Sequence, residues 1–109
     1  MAAYLDGAVH LIVCGPVVAE MLPREPGAET WLEEFGIEVD WNLGRAVWRR
    51  VGQAHAEYTR RRRGSGGGAP RGILADYLIG AHAEVNGLPL LTLNEHDYFS
   101  FPNLEVLTP

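Results

Sequence analysis

The sequence alternates short, almost wholly apolar runs with longer segments in which apolar residues recur at helical spacing. The apolar runs fall at 10–14, 37–41, 88–93 and 104–107, and the helical segments at 16–22, 28–35, 43–63 and 73–86. Short apolar strands that alternate with helices are typical of a mostly parallel sheet with helices on both faces. The sequence therefore predicts an α/β fold with three layers, α/β/α, around a mostly parallel sheet.

The chain of 109 residues, 47% hydrophobic and 21% charged, has the size and composition of one globular domain spanning 1–109. Its apolar runs fall well short of the roughly 20 residues that a membrane-spanning helix needs. The start lacks the basic stretch of a secretory signal and reaches a carboxylate early, at Asp6. We therefore expect a cytoplasmic protein with no membrane segment. Cys14 lies in an apolar run, where we expect it in the core.

The basic charge is concentrated in one part of an otherwise acidic chain. The formal net charge is −5, which argues against a broad nucleic-acid-binding surface. Every basic residue is an arginine, and four are consecutive: Arg60, Arg61, Arg62 and Arg63. Such a run at a helix end is usually a solvated segment that complements the helix dipole. The glycine-rich stretch 64–70 follows the arginine run, and we expect it to be a mobile loop. Beside such a loop, the arginine run is also a weak candidate for binding an RNA phosphate.

Three acidic residues are candidates for a single site. Glu20 lies on the helix after the first apolar run, Asp97 follows the third run, and Asp76 lies near the start of a helix. In parallel α/β sheets, ligands bind beyond the carboxyl ends of the strands, which favours bringing these acids together. Taken singly, each has a simpler interpretation: an exposed helix residue, a favourable charge at a helix N-terminus, and a turn residue.

Carboxylates in one cluster suit a particular chemistry. Phosphodiester hydrolysis needs an activated water and neutralised phosphoryl oxygens, and Mg²⁺ held by carboxylates supplies both. The histidines, in contrast, show no spacing typical of a zinc site. The glycine-rich stretch is not followed by the Lys-Ser/Thr of a phosphate loop, which counts against a third possibility, a small-molecule-binding α/β domain.

Three local patterns, in this order, closely resemble those of PIN-domain nucleases. They are Pro-Val-Val-Ala-Glu-Met-Leu at 16–22, Ala-Asp-Tyr-Leu-Ile-Gly-Ala-His-Ala at 75–83, and Leu-Leu-Thr-Leu-Asn-Glu-His-Asp-Tyr-Phe at 90–99. The nearest likeness is to the VapC toxins of bacterial toxin-antitoxin pairs, and it covers roughly 8–109. By position, Glu20, Asp76 and Asp97 resemble the family's catalytic metal ligands. Thr92 and Asn94 fall where the family has supporting polar residues.

The resemblance implies a Mg²⁺- or Mn²⁺-dependent endoribonuclease with a PIN-like fold, whose products carry a 5′-phosphate. It also implies a homodimer, inhibited by a small cognate antitoxin, that acts on structured RNA such as transfer RNA.

One departure from the family pattern opens an alternative. The family begins with a strand that ends in an aspartate, of the form Leu-Asp-Thr/Ser, and the sequence predicts no such strand here. Asp6 imitates the motif, but it lies too close to Glu20 for the helical segment that intervenes in the family. The missing aspartate favours either a misassigned start or a catalytically inactive, truncated PIN-like domain that retains only partner binding.

Overall fold

The computed structural model describes residues 4–5, 11–64 and 74–108, which form a mixed α/β fold of short strands and helices. The strands are β1 (Tyr4–Leu5), β2 (Leu11–Cys14), β3 (Glu38–Asp40), β4 (Leu90–Leu91) and β5 (Val106–Leu107). The helices are α1 (Gly15–Met21), α2 (Ala28–Glu34), α3 (Arg45–Gly64) and α4 (Ala75–Val85), with a 3₁₀ helix at Glu95–Tyr98. The glycine-rich stretch predicted to be a mobile loop lies largely outside the described residues, as does Asp6.

The strands form two small sheets rather than one. β2 and β3 are parallel, with Val13 opposite Val39, and β4 and β5 are parallel, with Leu90 opposite Val106. β1 pairs with β2 in the antiparallel direction and lies beside β4, within 8 Å between Cα atoms. The predicted parallel pairing is therefore confirmed, within two separate sheets in the part of the chain that the structure describes.

β1 modifies the prediction about the start of the chain. The sequence predicted no strand before β2, and the structure has one there, only two residues long. β1 is antiparallel to β2, whereas the sequence predicted a mostly parallel sheet.

The helix boundaries follow local signals that were visible in the sequence. Pro16 lies in the first turn of α1, where its missing N–H costs no hydrogen bond. Gly36 follows the end of α2 with φ +69°, and Gly87 follows the end of α4 with φ +66°. Glycine adopts this backbone conformation without strain. The predicted helices agree with the observed ones to within about two residues at each end.

The core lies between α1, α3, α4 and the strands. Val47, Val51 and Ala54 form the buried face of α3, and Cys14 is 3% exposed, as predicted. Gly80 of α4 lies against Phe101, so closely that a Cβ on Gly80 would come within 2.6 Å of the ring. α3 and α4 therefore pack closely together, with Phe101 beneath them.

Apolar residues recur along α4 and its flanks at the spacing of one helical face: Leu74, Tyr77, Leu78, Ala81 and Val85. Leu74 and Val85 are nevertheless each 40% exposed, because each lies at an end of the helix. The middle of α4, from Ile79 to Ala83, is instead buried on every side. The reason is that α1, α3 and the 3₁₀ helix all pack against α4, so the pattern of a one-sided amphipathic helix does not apply.

Within the described ranges, no helix is long and apolar enough to cross a membrane.

Candidate active site

Residues from three distant parts of the chain line one open pocket with a volume of about 470 Å³. Among its lining residues are all three predicted acids and both predicted supporting residues: Glu20, Asp76, Asp97, Thr92 and Asn94. The structure thus brings these five residues to one place. Their roles in metal binding and catalysis remain predictions.

Each acid is positioned by a different element. Glu20 lies near the end of α1, the short helix that continues directly from β2. Asp76 lies in the first turn of α4, and Asp97 lies in the 3₁₀ helix that follows β4. Val17 and Ile79 contribute apolar walls. Glu20 and Asp97 are exposed, whereas Asp76 is partly buried.

Thr92 and Asn94 shape the loop that carries Asp97. Thr92 is 4% exposed, and its backbone N–H continues the β4–β5 ladder by donating to the carbonyl of Leu107 at 3.0 Å. Its Oγ1 accepts a hydrogen bond from the backbone N–H of Asn94 at 3.1 Å. The backbone N–H of Asp97 then donates to the carbonyl of Asn94 at 3.1 Å. A chain of hydrogen bonds therefore holds the Asp97 backbone in place relative to the strand.

The pocket concentrates negative charge. Partial burial raises the pKa of Asp76 above its usual value, and the nearby carboxylates of Asp97 and Glu20 raise it further. Tyr98, which is 5% exposed, has its pKa raised first by burial and then by the same three carboxylates. A cation bound among these groups would remove this repulsion.

The donor set fits a hydrated Mg²⁺ or Mn²⁺ better than a fully coordinated metal. Among the described residues, no three His, Cys, Asp or Glu side chains are arranged to hold an ion directly. Mg²⁺ usually keeps several of its waters and is bound through one or two carboxylates, all through oxygen. Carboxylates around an open pocket suit that mode, whereas zinc prefers nitrogen and sulfur ligands.

The arginine run at the end of α3 reaches the edge of the same region. The Arg61 guanidinium lies 5.0 Å from the centroid of the Phe99 ring and donates a hydrogen bond to Ser100 Oγ at 3.3 Å. Arg62 lines a second pocket that shares Asp76 and Asp97 with the first. Arg60 and Arg63 are exposed.

Sequence reasoning missed a pair of residues that links α4 to β3. Nε2 of His82, which is 5% exposed, lies 2.8 Å from Oδ2 of Asp40 at the end of β3. That hydrogen bond is the main reason why the pKa of Asp40 is lowered. The two residues are 42 positions apart, and no local pattern in the sequence connects them.

Comparison of the chain with models of protein families, with curated proteins and with solved structures found no match.

Proposed function

We propose that this chain is a Mg²⁺- or Mn²⁺-dependent endoribonuclease of the PIN type, resembling the VapC toxins, with Glu20, Asp76 and Asp97 as its catalytic acids. The observation that carries the proposal is their position. Three acids singled out by an ordered set of sequence patterns line one pocket, together with Thr92 and Asn94. Chance placement would scatter residues separated by so much of the chain.

In this proposal the carboxylates of Glu20, Asp76 and Asp97 would hold the divalent cation, partly through its own waters, and the bound cation would supply charge neutralisation and a water of lowered pKa. Asp76 is the least exposed of the three acids. The hydrogen bonds from Thr92 through Asn94 fix the backbone of Asp97 at the edge of the pocket. Arg61 and Arg62 place positive charge on one side of the acids, where an RNA backbone would approach.

The finer features that the resemblance implies belong to the same proposal. We infer the three-layer PIN arrangement, which is supported by two parallel strand pairs with β1 beside β4. We likewise infer a cytoplasmic homodimer that is inhibited by a cognate antitoxin and cleaves structured RNA such as transfer RNA. Sequence resemblance alone supports this second group of features.

A second candidate is an inactive PIN-like domain that retains only partner binding. Two observations favour it. No set of three ligands converges directly on one point among the described residues. In addition, the sequence lacks the family's opening Leu-Asp-Thr/Ser, and the strand that precedes β2 is only two residues long.

Calorimetric titration of Mn²⁺ separates the two candidates. The wild-type chain, Asp76→Asn and Glu95→Gln would be titrated side by side, because Glu95 is an exposed acid near Asp97 that does not line the pocket. We expect binding to the wild type and to Glu95→Gln, and none to Asp76→Asn. We also expect the wild-type chain to cleave RNA in the presence of Mn²⁺. Absence of binding to the wild-type chain would instead support the inactive domain.

A further inference from the structure

A second pocket, of about 270 Å³, opens on the other side of Asp76 and Asp97. Its remaining walls differ in character from those of the first pocket. They combine arginine and aromatic side chains, among them Arg62, Tyr58 and Phe99. The second pocket therefore combines the acids that it shares with the proposed metal site, a positive charge and the faces of aromatic rings.

Phe99 is the most distinctive residue of this second pocket. It directly follows Tyr98, which is 5% exposed, yet 67% of Phe99 is exposed. Arg61 covers part of the ring from 5.0 Å away and donates to the hydroxyl of the neighbouring Ser100, which is itself buried. The ring thus lies beside an anchored arginine at the mouth of the pocket and keeps most of its surface available for another planar group.

This combination matches the chemistry of an unpaired nucleotide. A base can stack on an aromatic ring only after it has left its own helix, and arginines beside the ring can bind the adjoining phosphate. The charge distribution points the same way. The net charge is −5, and only four consecutive arginines, at the C-terminal end of α3, lie beside this pocket, which does not favour tracking of a duplex over a broad basic field.

We propose that the second pocket binds an unpaired nucleotide of single-stranded RNA, next to the phosphodiester that lies over the acids. The base stacks on Phe99, and Arg62 contacts the phosphate. This assignment rests on the proposed ribonuclease function and adds to it the residues that hold the nucleotide beside the cleaved phosphodiester.

The test measures RNA binding without cleavage. Fluorescence anisotropy would follow a labelled single-stranded RNA of about eight nucleotides, within the usual site size of single-strand binders. Titrations would be run in EDTA and again with Ca²⁺. The variants are Phe99→Ala and Phe99→Trp, with Phe35→Ala as control, because Phe35 is similarly exposed, at 65%, and lines neither pocket. Circular dichroism would verify that each variant is folded.

We expect Phe99→Ala to weaken binding about tenfold, the usual effect of losing one stacked base. Phe99→Trp should keep the affinity, and Phe35→Ala should leave it unchanged. Equal binding by Phe99→Ala and the wild type, or tighter binding of a duplex than of the single strand, would overturn the proposal.

The phosphate contact has its own measurement. Arg62→Gln should reduce the slope of log affinity against log salt by about 0.7, the value for one phosphate of a single strand. Arg63→Gln, which removes an exposed arginine from the same run, should reduce it less. Equal reductions would show a diffuse charge effect and would remove Arg62 from the proposed contact.

These outcomes are separable from the ribonuclease proposal. Binding that depends on Phe99, in a chain that does not cleave RNA with Mn²⁺, would support the pocket and refute the nuclease. Cleavage that persists while Phe99→Ala binds normally would do the reverse.

Discussion

Acidic side chains at the two ends of α4 lie in opposite electrostatic environments. In its first turn, Asp76 faces the carboxylates of Asp97 and Glu20, and its pKa is raised. Toward its other end, Glu84 accepts a hydrogen bond from Nε of Arg50 at 2.6 Å, and His82 lies 2.8 Å from Asp40. One helix therefore carries like charges gathered at one end and opposite charges paired at the other.

This difference distinguishes the end of α4 that stabilises the fold from the end that carries the proposed site. The paired end joins α3, α4 and β3 through ion pairs and hydrogen bonds, an arrangement that supports the fold. At the other end, partial burial and mutual repulsion oppose folding, because both disfavour the charged form of Asp76. Acids held together against their own repulsion are typical of functional sites. We therefore expect substitutions at the two ends to have opposite consequences.

The largest effect should come from Asp76→Asn. Removing this carboxylate should lower Mn²⁺-dependent cleavage of RNA by about 100-fold or more, comparable to the loss of other groups that stabilise a transition state. The free energy of unfolding should rise slightly at neutral pH, since the repulsion disappears. Initial cleavage rates and thermal unfolding of the same samples would measure both. Full activity in Asp76→Asn would exclude this acid from the site.

The acidic end of α4 was largely predictable from the sequence. Glu20 and Asp97 each lie shortly after an apolar strand, and Asp76 opens a helix, so chain direction favours bringing them to one region. The predicted helix boundaries also held, because proline and glycine mark them locally.

The paired end was not predictable in the same way. Arg50 and Glu84 are 34 positions apart, and their contact depends on how α3 crosses α4. The close packing of Gly80 on Phe101 is likewise a contact between distant parts of the chain, which no local pattern encodes. The antiparallel direction of β1 is a further tertiary outcome, since a two-residue strand carries too little pattern to specify its pairing.

A smaller effect, on stability alone, should follow from Arg50→Met. The substitution leaves Glu84 without its cation, removes a hydrogen bond to the carbonyl of Ser100 and ends the stacking of the guanidinium over Phe101. We expect a loss of about 2–3 kcal/mol, somewhat below that for breaking a fully buried pair. Urea unfolding would measure it.

The matched control for Arg50→Met is the double variant with Glu84→Gln. The second change removes the charge that the first leaves unpaired, so part of the lost stability should return. Calorimetry should show Mn²⁺ binding unchanged in both variants. If the double variant were less stable than the sum of the single changes, the ion pair would not be the source of the effect.

A somewhat smaller loss should follow from Gly80→Ala, midway between the two ends. The added Cβ would lie 2.6 Å from the ring of Phe101, which is 2% exposed and has little room to move. Overpacking of this kind typically costs about 1–3 kcal/mol, and the better helix propensity of alanine offsets up to about 1 kcal/mol. Thermal unfolding should show a net destabilisation. An increase in stability would mean that the Phe101 ring moves away from the added Cβ at little cost.

The smallest effects are differences in how stability responds to pH. The folded-state pKa of Asp76 is raised above the ordinary 3.8, so its ionisation opposes folding once the pH exceeds that range. The folded-state pKa of Asp40 is lowered, so its ionised form favours folding above 3.8, and this contribution is lost as the pH falls through the lowered value. Ionised Asp76 therefore lowers the free energy of unfolding, and ionised Asp40 raises it. The contribution of Asp76 changes with pH above about 3.8, and that of Asp40 changes below about 3.8.

Asp76→Asn and Asp40→Asn therefore form a pair of variants that tests the comparison directly. At neutral pH the first should be more stable than the wild type and the second less stable. As the pH falls, the advantage of Asp76→Asn should fade first, on the way down to about 3.8, because wild-type Asp76 becomes protonated. The deficit of Asp40→Asn should persist to below 3.8 before it fades. Urea unfolding across this pH range measures both, and two curves that fade together would show that the ends of α4 do not differ electrostatically.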